Sequence, residues 1–262
     1  MTCMTPRLIS IFAFLLSFTI VMSLLFYVTD LKDRGPRKVL TAYSPDSDLL
    51  NIPQEEPILI KHIQTKYLKY PNVSKDVDDE KYKSNINLMF NDMTNGKFIE
   101  VGASEEFGST QILVDSLNWT GLVIEPHPDR YLDIAKLRHV HTANICISPT
   151  YYPREASFKS VKGHIKITCF PLYSVMAAFK STNLDLLKLN LKEADYQVLK
   201  TLPWTKVCIK VISVPVKSKD ISMVTKFLSN HGYQPNEHTE NTQHYYFSYK
   251  KNCPSNIRIV RM

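Results

Sequence analysis

The chain has 262 residues, with 32 Lys and Arg against 25 Asp and Glu and a formal net charge of +7. With 44% hydrophobic and 22% charged residues it can build a core, which excludes a wholly disordered chain. Its basic residues are spread along the chain without a dense run, a solvated-surface pattern that argues against a nucleic-acid partner.

The first element in chain order is apolar. Leu8 to Val28 holds 21 residues without a charge, matching the ~20 that a helix needs to cross a bilayer. The run is longer than the ~7–15 apolar residues of a signal peptide, and no small-residue cleavage site follows it. The expectation is therefore a retained signal-anchor helix, with the lipid bilayer as its partner. The organisation expected is a short tail (1–7), a transmembrane helix (8–28), a juxtamembrane linker (29–55) with Pro36, Pro45 and Pro53, and one globular domain (56–262).

Two signals for orientation point in opposite directions. Lys32, Arg34, Arg37 and Lys38 follow the span, against Arg7 before it, which places the C-terminal side in the cytoplasm by the positive-inside rule. Two glycosylation sequons, Asn72-Val73-Ser74 and Asn118-Trp119-Thr120, place it in the lumen, with glycans on Asn72 and Asn118. Of the five cysteines, Cys146, Cys169, Cys208 and Cys253 follow the span. They allow up to two disulfides in an oxidising lumen, with three possible pairings. Cys146 and Cys208 also read as small buried side chains inside apolar runs. His139 and His141 share a strand face but have no third ligand, so no metal site is expected.

Residues 56–92 read as helical segments wrapping the domain. From Lys97 a strand–helix rhythm begins. Strands are expected at Lys97–Gly102, Gly121–Pro126, His139–Ser148, Leu184–Leu191, Val207–Val216 and His244–Tyr249. Helices are expected at Ser109–Leu117, Pro128–Arg138, Pro171–Phe179, Tyr196–Leu202 and Ile221–Gly232, and an irregular or hairpin insertion at 150–168. This alternation predicts an α/β fold, a mostly parallel sheet covered on both faces. Its expected core includes Phe98, Ile99, Val101, Leu122, Val123, Ile124, Leu186, Leu187, Leu189, Val211, Ile212 and Val214.

Five blocks occur in a fixed order: FIEVGA, GLVIEPHP, CFPLYSV, LKLNLKEADYQVLKTLPW and IKVISV. In order and spacing they resemble the FkbM-type methyltransferase domain family, and within it the animal Star-like membrane proteins. The resemblance covers roughly residues 85–250 and implies a class I methyltransferase-like, Rossmann-like sheet. It also implies that S-adenosylmethionine would sit beyond the C-terminal ends of the first strands. Gly102 would then let the backbone approach the cofactor, and Glu125 would accept hydrogen bonds from its ribose. The remaining motif positions depart from the family pattern. Glu105 stands for an aspartate and Glu106 for a glycine. Asn190, Lys192 and Glu193 replace Asp, Glu and Gly, and Pro215 replaces an acid; Asp195 keeps the last one.

Losing several convergent acids is hard to reconcile with base or metal chemistry. The expected reading has no catalytic residue and no cofactor: a degenerate domain that kept its core, with Gly102 and Glu125 as residual cofactor-binding positions and Glu125 as an ordinary surface position at a strand end. The Star-like resemblance implies a type II membrane protein that escorts transmembrane or lumenal cargo, such as growth-factor precursors. Vesicle-mediated transport would take it from endoplasmic reticulum to Golgi, and onward to late endosome and plasma membrane. The alternative is a membrane-tethered S-adenosylmethionine-dependent O-methyltransferase.

Overall fold

The structure, a computed structural model, describes residues 15–24, 46–71, 89–103, 108–136, 139–160, 163–191, 193–215, 221–236 and 244–253. Two compact units divide the chain, Met1–Tyr43 and Ser44–Met262. In the first, residues 15–24 are helical and expose Leu15, Leu16, Phe18, Ile20, Val21 and Leu24. The rest of the expected span lies outside the described residues, as do Asn72, Glu105, Glu106 and Lys192. Among the described residues no helix is long and apolar enough to cross a membrane.

The second unit is built on a seven-stranded sheet. Its strands are β1 (Lys97–Val101), β2 (Thr120–Ile124), β3 (His141–Ala143), β7 (Asn183–Leu189), β8 (Cys208–Pro215), β9 (Tyr233–Pro235) and β10 (His244–Tyr249). They lie in the order β3-β2-β1-β7-β8-β10-β9. The pairs from β3 to β8 are parallel, and β10 runs antiparallel to both β8 and β9. The order reverses between β1 and β7, the kind of switch point beside which open α/β sheets bind ligands.

Alternate residues face two apolar clusters. Ile99, Val101, Leu122, Ile124, Leu187, Leu189, Ile212 and Val214 face one; Phe98, Val123, Leu186 and Val211 face the other. All twelve expected core residues are buried. Burying a side chain of this size stabilises by about 1.5–3 kcal/mol, which is why short apolar runs suffice to define these strands. The helices are α1 (Pro57–His62), α2 (Gly108–Asp115), α3 (Pro128–Ile134), α4 (Leu172–Ala178), α5 (Asp195–Thr201) and α6 (Ile221–Asn230). A π-helical stretch, Ile63–Tyr67, continues α1.

The expected single strand over His139–Ser148 is two strands in two sheets. β3 ends at Ala143, and β4 (Cys146–Ser148) joins a second sheet, ordered β4-β6-β5, with β5 (Arg154–Ser160) and β6 (Gly163–Pro171). The break has a local cause. The Asn144 side-chain amide donates to the carbonyls of Glu125 (2.8 Å) and Pro126 (3.2 Å), pulling the chain out of the ladder. The insertion at 150–168 is largely the antiparallel β5/β6 hairpin. β9, which was not expected, follows Gly232 at φ +89, a left-handed turn that closes α6.

Two disulfides decide among the three pairings. Cys146 on β4 is bonded to Cys169, its partner in register on β6. Cys208, at the start of β8, is bonded to Cys253. Cys208 is buried, as its apolar run suggests, and Cys146 half-buried, and both are disulfide-bonded.

Residues 46–55, expected as linker, belong to the compact unit because Asp46 and Gln54 are buried in it. The Asp46 carboxylate accepts hydrogen bonds from His62 Nε2 (2.7 Å), Lys66 Nζ (2.7 Å), Thr168 Oγ1 (2.8 Å) and the Tyr67 hydroxyl. Burial pushes the Asp46 pKa up, but the bonds from Lys66, Tyr67, Thr168 and His62 outweigh it and hold the carboxyl below its ordinary value.

Candidate functional site

The C-terminal ends of the parallel strands are where the sequence places a cofactor site. Gly102 follows β1 at φ +72 and donates its N–H to the Ile124 carbonyl at 2.9 Å. A Cβ here would stand 2.3 Å from the Asn190 carbonyl oxygen. Only glycine combines that conformation with that approach. The close neighbour of Gly102 is therefore this chain's own backbone after β7, held there by the Asn190 N–H donating to the Val101 carbonyl at 2.9 Å.

Glu125 follows β2 next to Gly102, as expected, but it is not a surface position: it is 1% exposed. Its Oε1 accepts the His127 N–H at 2.8 Å and lies 3.4 Å from an Arg130 guanidinium nitrogen. His127 and Arg130 belong to the entry and first turn of α3, so the acid is folded back onto the helix that follows it. The correction is one of side-chain setting: the position is right, while the carboxylate is enclosed. An acid that binds a ribose must offer free acceptor oxygens to it. In this structure the Glu125 carboxylate is enclosed, with Oε1 given to the His127 N–H.

The residues after β7 are occupied in the same way. Asp195, the acid retained from the family pattern, is fully buried and accepts the Leu191 N–H at 3.0 Å, which ties the loop to α5. Asn190 is half-buried and Glu193 exposed. Among the described residues no group of three or more His, Cys, Asp or Glu could hold a metal ion. His139 is partly buried, and His141 sits at the start of β3, at the opposite edge of the sheet.

One constellation was missed in the sequence. Glu100 on β1, Lys188 on β7 and Ser213 on β8 are in register across three neighbouring strands. Lys188 Nζ lies 2.9 Å from Glu100 Oε1, and the Thr110 hydroxyl of α2 donates to the other oxygen of Glu100. Ser213 Oγ is hydrogen-bonded to His244 Nδ1 at 3.1 Å. Burial, with the nearby charge of Lys188, lowers the His244 pKa from 6.5 to about 4, so its imidazole is neutral at neutral pH. Glu100, Lys188, Ser213, His244 and Thr110 are all buried. The row is a satisfied polar seam inside the sheet, directly below the Gly102 turn. Its signal in the sequence was a lone charge in each of two apolar runs, FIEV and LLKL, with opposite signs.

Exposed Asn118 stands at φ +53 before β2, with its side-chain amide donating to Asn95 Oδ1 at 2.6 Å. Trp119 is buried, its indole N–H donating to the Met93 carbonyl at 2.7 Å.

Residues 100–235 match the family model described as the methyltransferase FkbM domain. No curated protein sequence matches the chain. Among solved structures, a Methanococcus jannaschii fibrillarin pre-rRNA processing protein is similar at 15% identity, over 62% of this chain and 69% of that one, with a TM-score of 0.38. A precorrin-6y C5,15-methyltransferase from Geobacter metallireducens is similar at 14% identity, over 67% of this chain and 90% of that one, also with a TM-score of 0.38. Likenesses this distant carry no functional argument.

Proposed function

This chain belongs to the methyltransferase FkbM domain family, and from that premise we propose that it is a membrane-held, non-catalytic member that works by binding other proteins. The observation that carries the reading is the enclosed Glu125 carboxylate, bonded to His127 N–H and close to Arg130. The substitutions at Asn190, Glu193 and Pro215 point the same way. Function is argued from the site, and here the described acids Glu125 and Asp195 bond to the chain's own backbone.

The setting proposed is the secretory pathway. The two disulfides suit an oxidising lumen, and the exposed Asn118 of the second sequon suits glycan addition there. Membrane anchoring rests on the 21-residue uncharged run. The escort role, for transmembrane or lumenal cargo such as growth-factor precursors between endoplasmic reticulum, Golgi and endosome, rests on the resemblance to Star-like proteins.

Titration of the full-length chain in lipid nanodiscs with S-adenosylmethionine tests the reading. The expected result is no saturable heat. Micromolar binding would overturn it and favour the second reading, a membrane-tethered S-adenosylmethionine-dependent O-methyltransferase. That reading has one observation of its own: Gly102 and Glu125 do lie side by side, beyond the register pair Val101 and Ile124. Protease protection in microsomes tests the orientation: a domain digested without detergent would be cytoplasmic.

A further inference from the structure

The opposite edge of the sheet carries a feature that the proposed function does not use. Lys97 opens β1, Thr120 opens β2 and His141 opens β3. Together they line a cavity of about 250 Å³ at the N-terminal ends of these strands. Phe179 and Lys180, which follow α4, line it as well, and so does Tyr70, 64% exposed.

Three rings form a continuous wall. Tyr70 meets His141 edge-on with centroids 5.3 Å apart, and His141 meets Phe179 edge-on at 5.1 Å. The His141 Nδ1 lies 3.3 Å from the Gly121 carbonyl. A carbonyl only accepts, so Nδ1 carries the hydrogen. Burial holds the His141 pKa below its ordinary value, against the opposing effect of that bond, so the ring is neutral at neutral pH. The wall is thus uncharged and aromatic.

The charged residues described at the cavity have one sign. Exposed Lys97 and Lys180 are among its lining residues, and among the described residues no Asp or Glu is. Asp185 accepts the Lys97 backbone N–H at 2.8 Å, while its charge is met by Lys210 Nζ at 2.8 Å. Among the described residues neither Lys97 nor Lys180 has an ion-pair partner.

Lys180 is also in an unusual conformation. It stands at φ +57 past the end of α4, where its N–H bonds to the Ala177 carbonyl and the Ser181 N–H to the Met176 carbonyl. That is the left-handed helix ending in which glycine is the favoured residue. A lysine stands here, beside the cavity, in a conformation that glycine would adopt more easily.

We infer that this cavity is a binding site for a small aromatic carboxylate, its ring against Tyr70, His141 and Phe179 and its acid group answered by Lys97 and Lys180. The volume lies just below the ~300–1,000 Å³ of pockets for drug-sized ligands, which limits the ligand to one or two fused rings with a short acidic arm. A ring without the charge gains nothing from the two lysines; a charge without the ring leaves the aromatic wall wet. The site is at the far edge of the sheet from Gly102 and Glu125 and does not depend on how those residues are read.

The test is calorimetric titration of the full-length chain in nanodiscs with indole-3-acetate, with the heat of empty nanodiscs subtracted. Saturable one-to-one binding is expected, weaker by about tenfold or more for indole-3-acetamide and for acetate. Lys180→Gly should bind about tenfold more weakly while its melting temperature stays the same or rises. Lys97→Gln should bind about fivefold more weakly. Absence of saturable heat, equal binding of the amide, or unchanged affinity in both lysine variants overturns the proposal. A loss of binding in Glu125→Ala with both lysine variants unaffected also overturns it, because the ligand would then sit at the other edge. The S-adenosylmethionine titration has a separate readout, so either result can fail without the other.

Discussion

The two edges of the main sheet differ in a way the fold alone would not suggest. At the C-terminal edge the inherited acids are turned inward: Glu125 holds the entry to α3, Asp195 holds the loop after β7, and Gly102 makes room for Asn190. At the N-terminal edge two lysines and three rings line an open cavity. In folds of this class ligands bind at the C-terminal edge. Here the described acids at that edge bond to the protein's own backbone, and a cavity lies at the other end. Polar groups that bind a ligand in one relative can become internal fastenings in another, because a buried acid is tolerated once donors satisfy it.

The sharpest way to break this contrast is to attack the seam beneath the closed edge. Lys188→Met leaves Glu100 buried without its cation and should cost about 3–5 kcal/mol. Lys210→Met removes a half-exposed partner of Asp185 and should cost about 0–1 kcal/mol. Denaturant unfolding of the two variants measures the difference; equal losses would show that the seam is not a closed, low-dielectric region.

The disulfides come next. Cys208→Ser with Cys253→Ser opens a link across 45 residues and should lose roughly 4 kcal/mol on the chain-entropy account, against roughly 3 kcal/mol for the 23-residue link between Cys146 and Cys169. Unfolding with and without reductant tests this, and a chain indifferent to reductant would remove the support for an oxidising compartment.

Acid should act through His244. Its folded pKa of about 4 lies below the ordinary 6.5, so the unfolded chain takes up a proton first as pH falls. Stability from this group is therefore full above pH 6.5 and declines toward pH 4, by on the order of 3 kcal/mol. Asp46, whose folded pKa is also lowered, adds a loss only below its ordinary 3.8. Melting temperature followed from pH 7 to pH 4 should fall, and His244→Gln should flatten that window.

Glu125→Ala tests the closed edge itself. Removing an enclosed acceptor from the His127 N–H should cost about 1–3 kcal/mol, more than an ordinary surface change; a loss near zero would mean that the carboxylate is not a fastening. Ile124→Asp next to it, at a fully buried position, should unfold the domain. The smallest effect belongs to the open edge: Tyr70→Ala, at an exposed ring, should change stability by no more than about 0.5 kcal/mol.

The strands were legible in the sequence wherever an apolar run is short and bounded. GLVIEP ends at a proline, FIEVG at a glycine, and both strands were placed to within a residue or two because side-chain burial on both faces leaves little choice of register. The Gly102 turn and the acid after β2 were legible for the same local reason.

What only the tertiary structure decided depends on partners far away in the chain. The Cys146 and Cys208 pairings, the bond from Thr168 to Asp46 across 122 residues, and the division of His139–Ser148 between two sheets all follow from which strands meet. The same holds for the chemistry. Glu100 and Lys188 become a pair because β1 lies next to β7. Glu125 is closed off because α3 returns its first turn to it. A residue's type and local pattern are written in the sequence; whether its charge faces water, a ligand or another side chain is settled by the neighbours that folding brings to it.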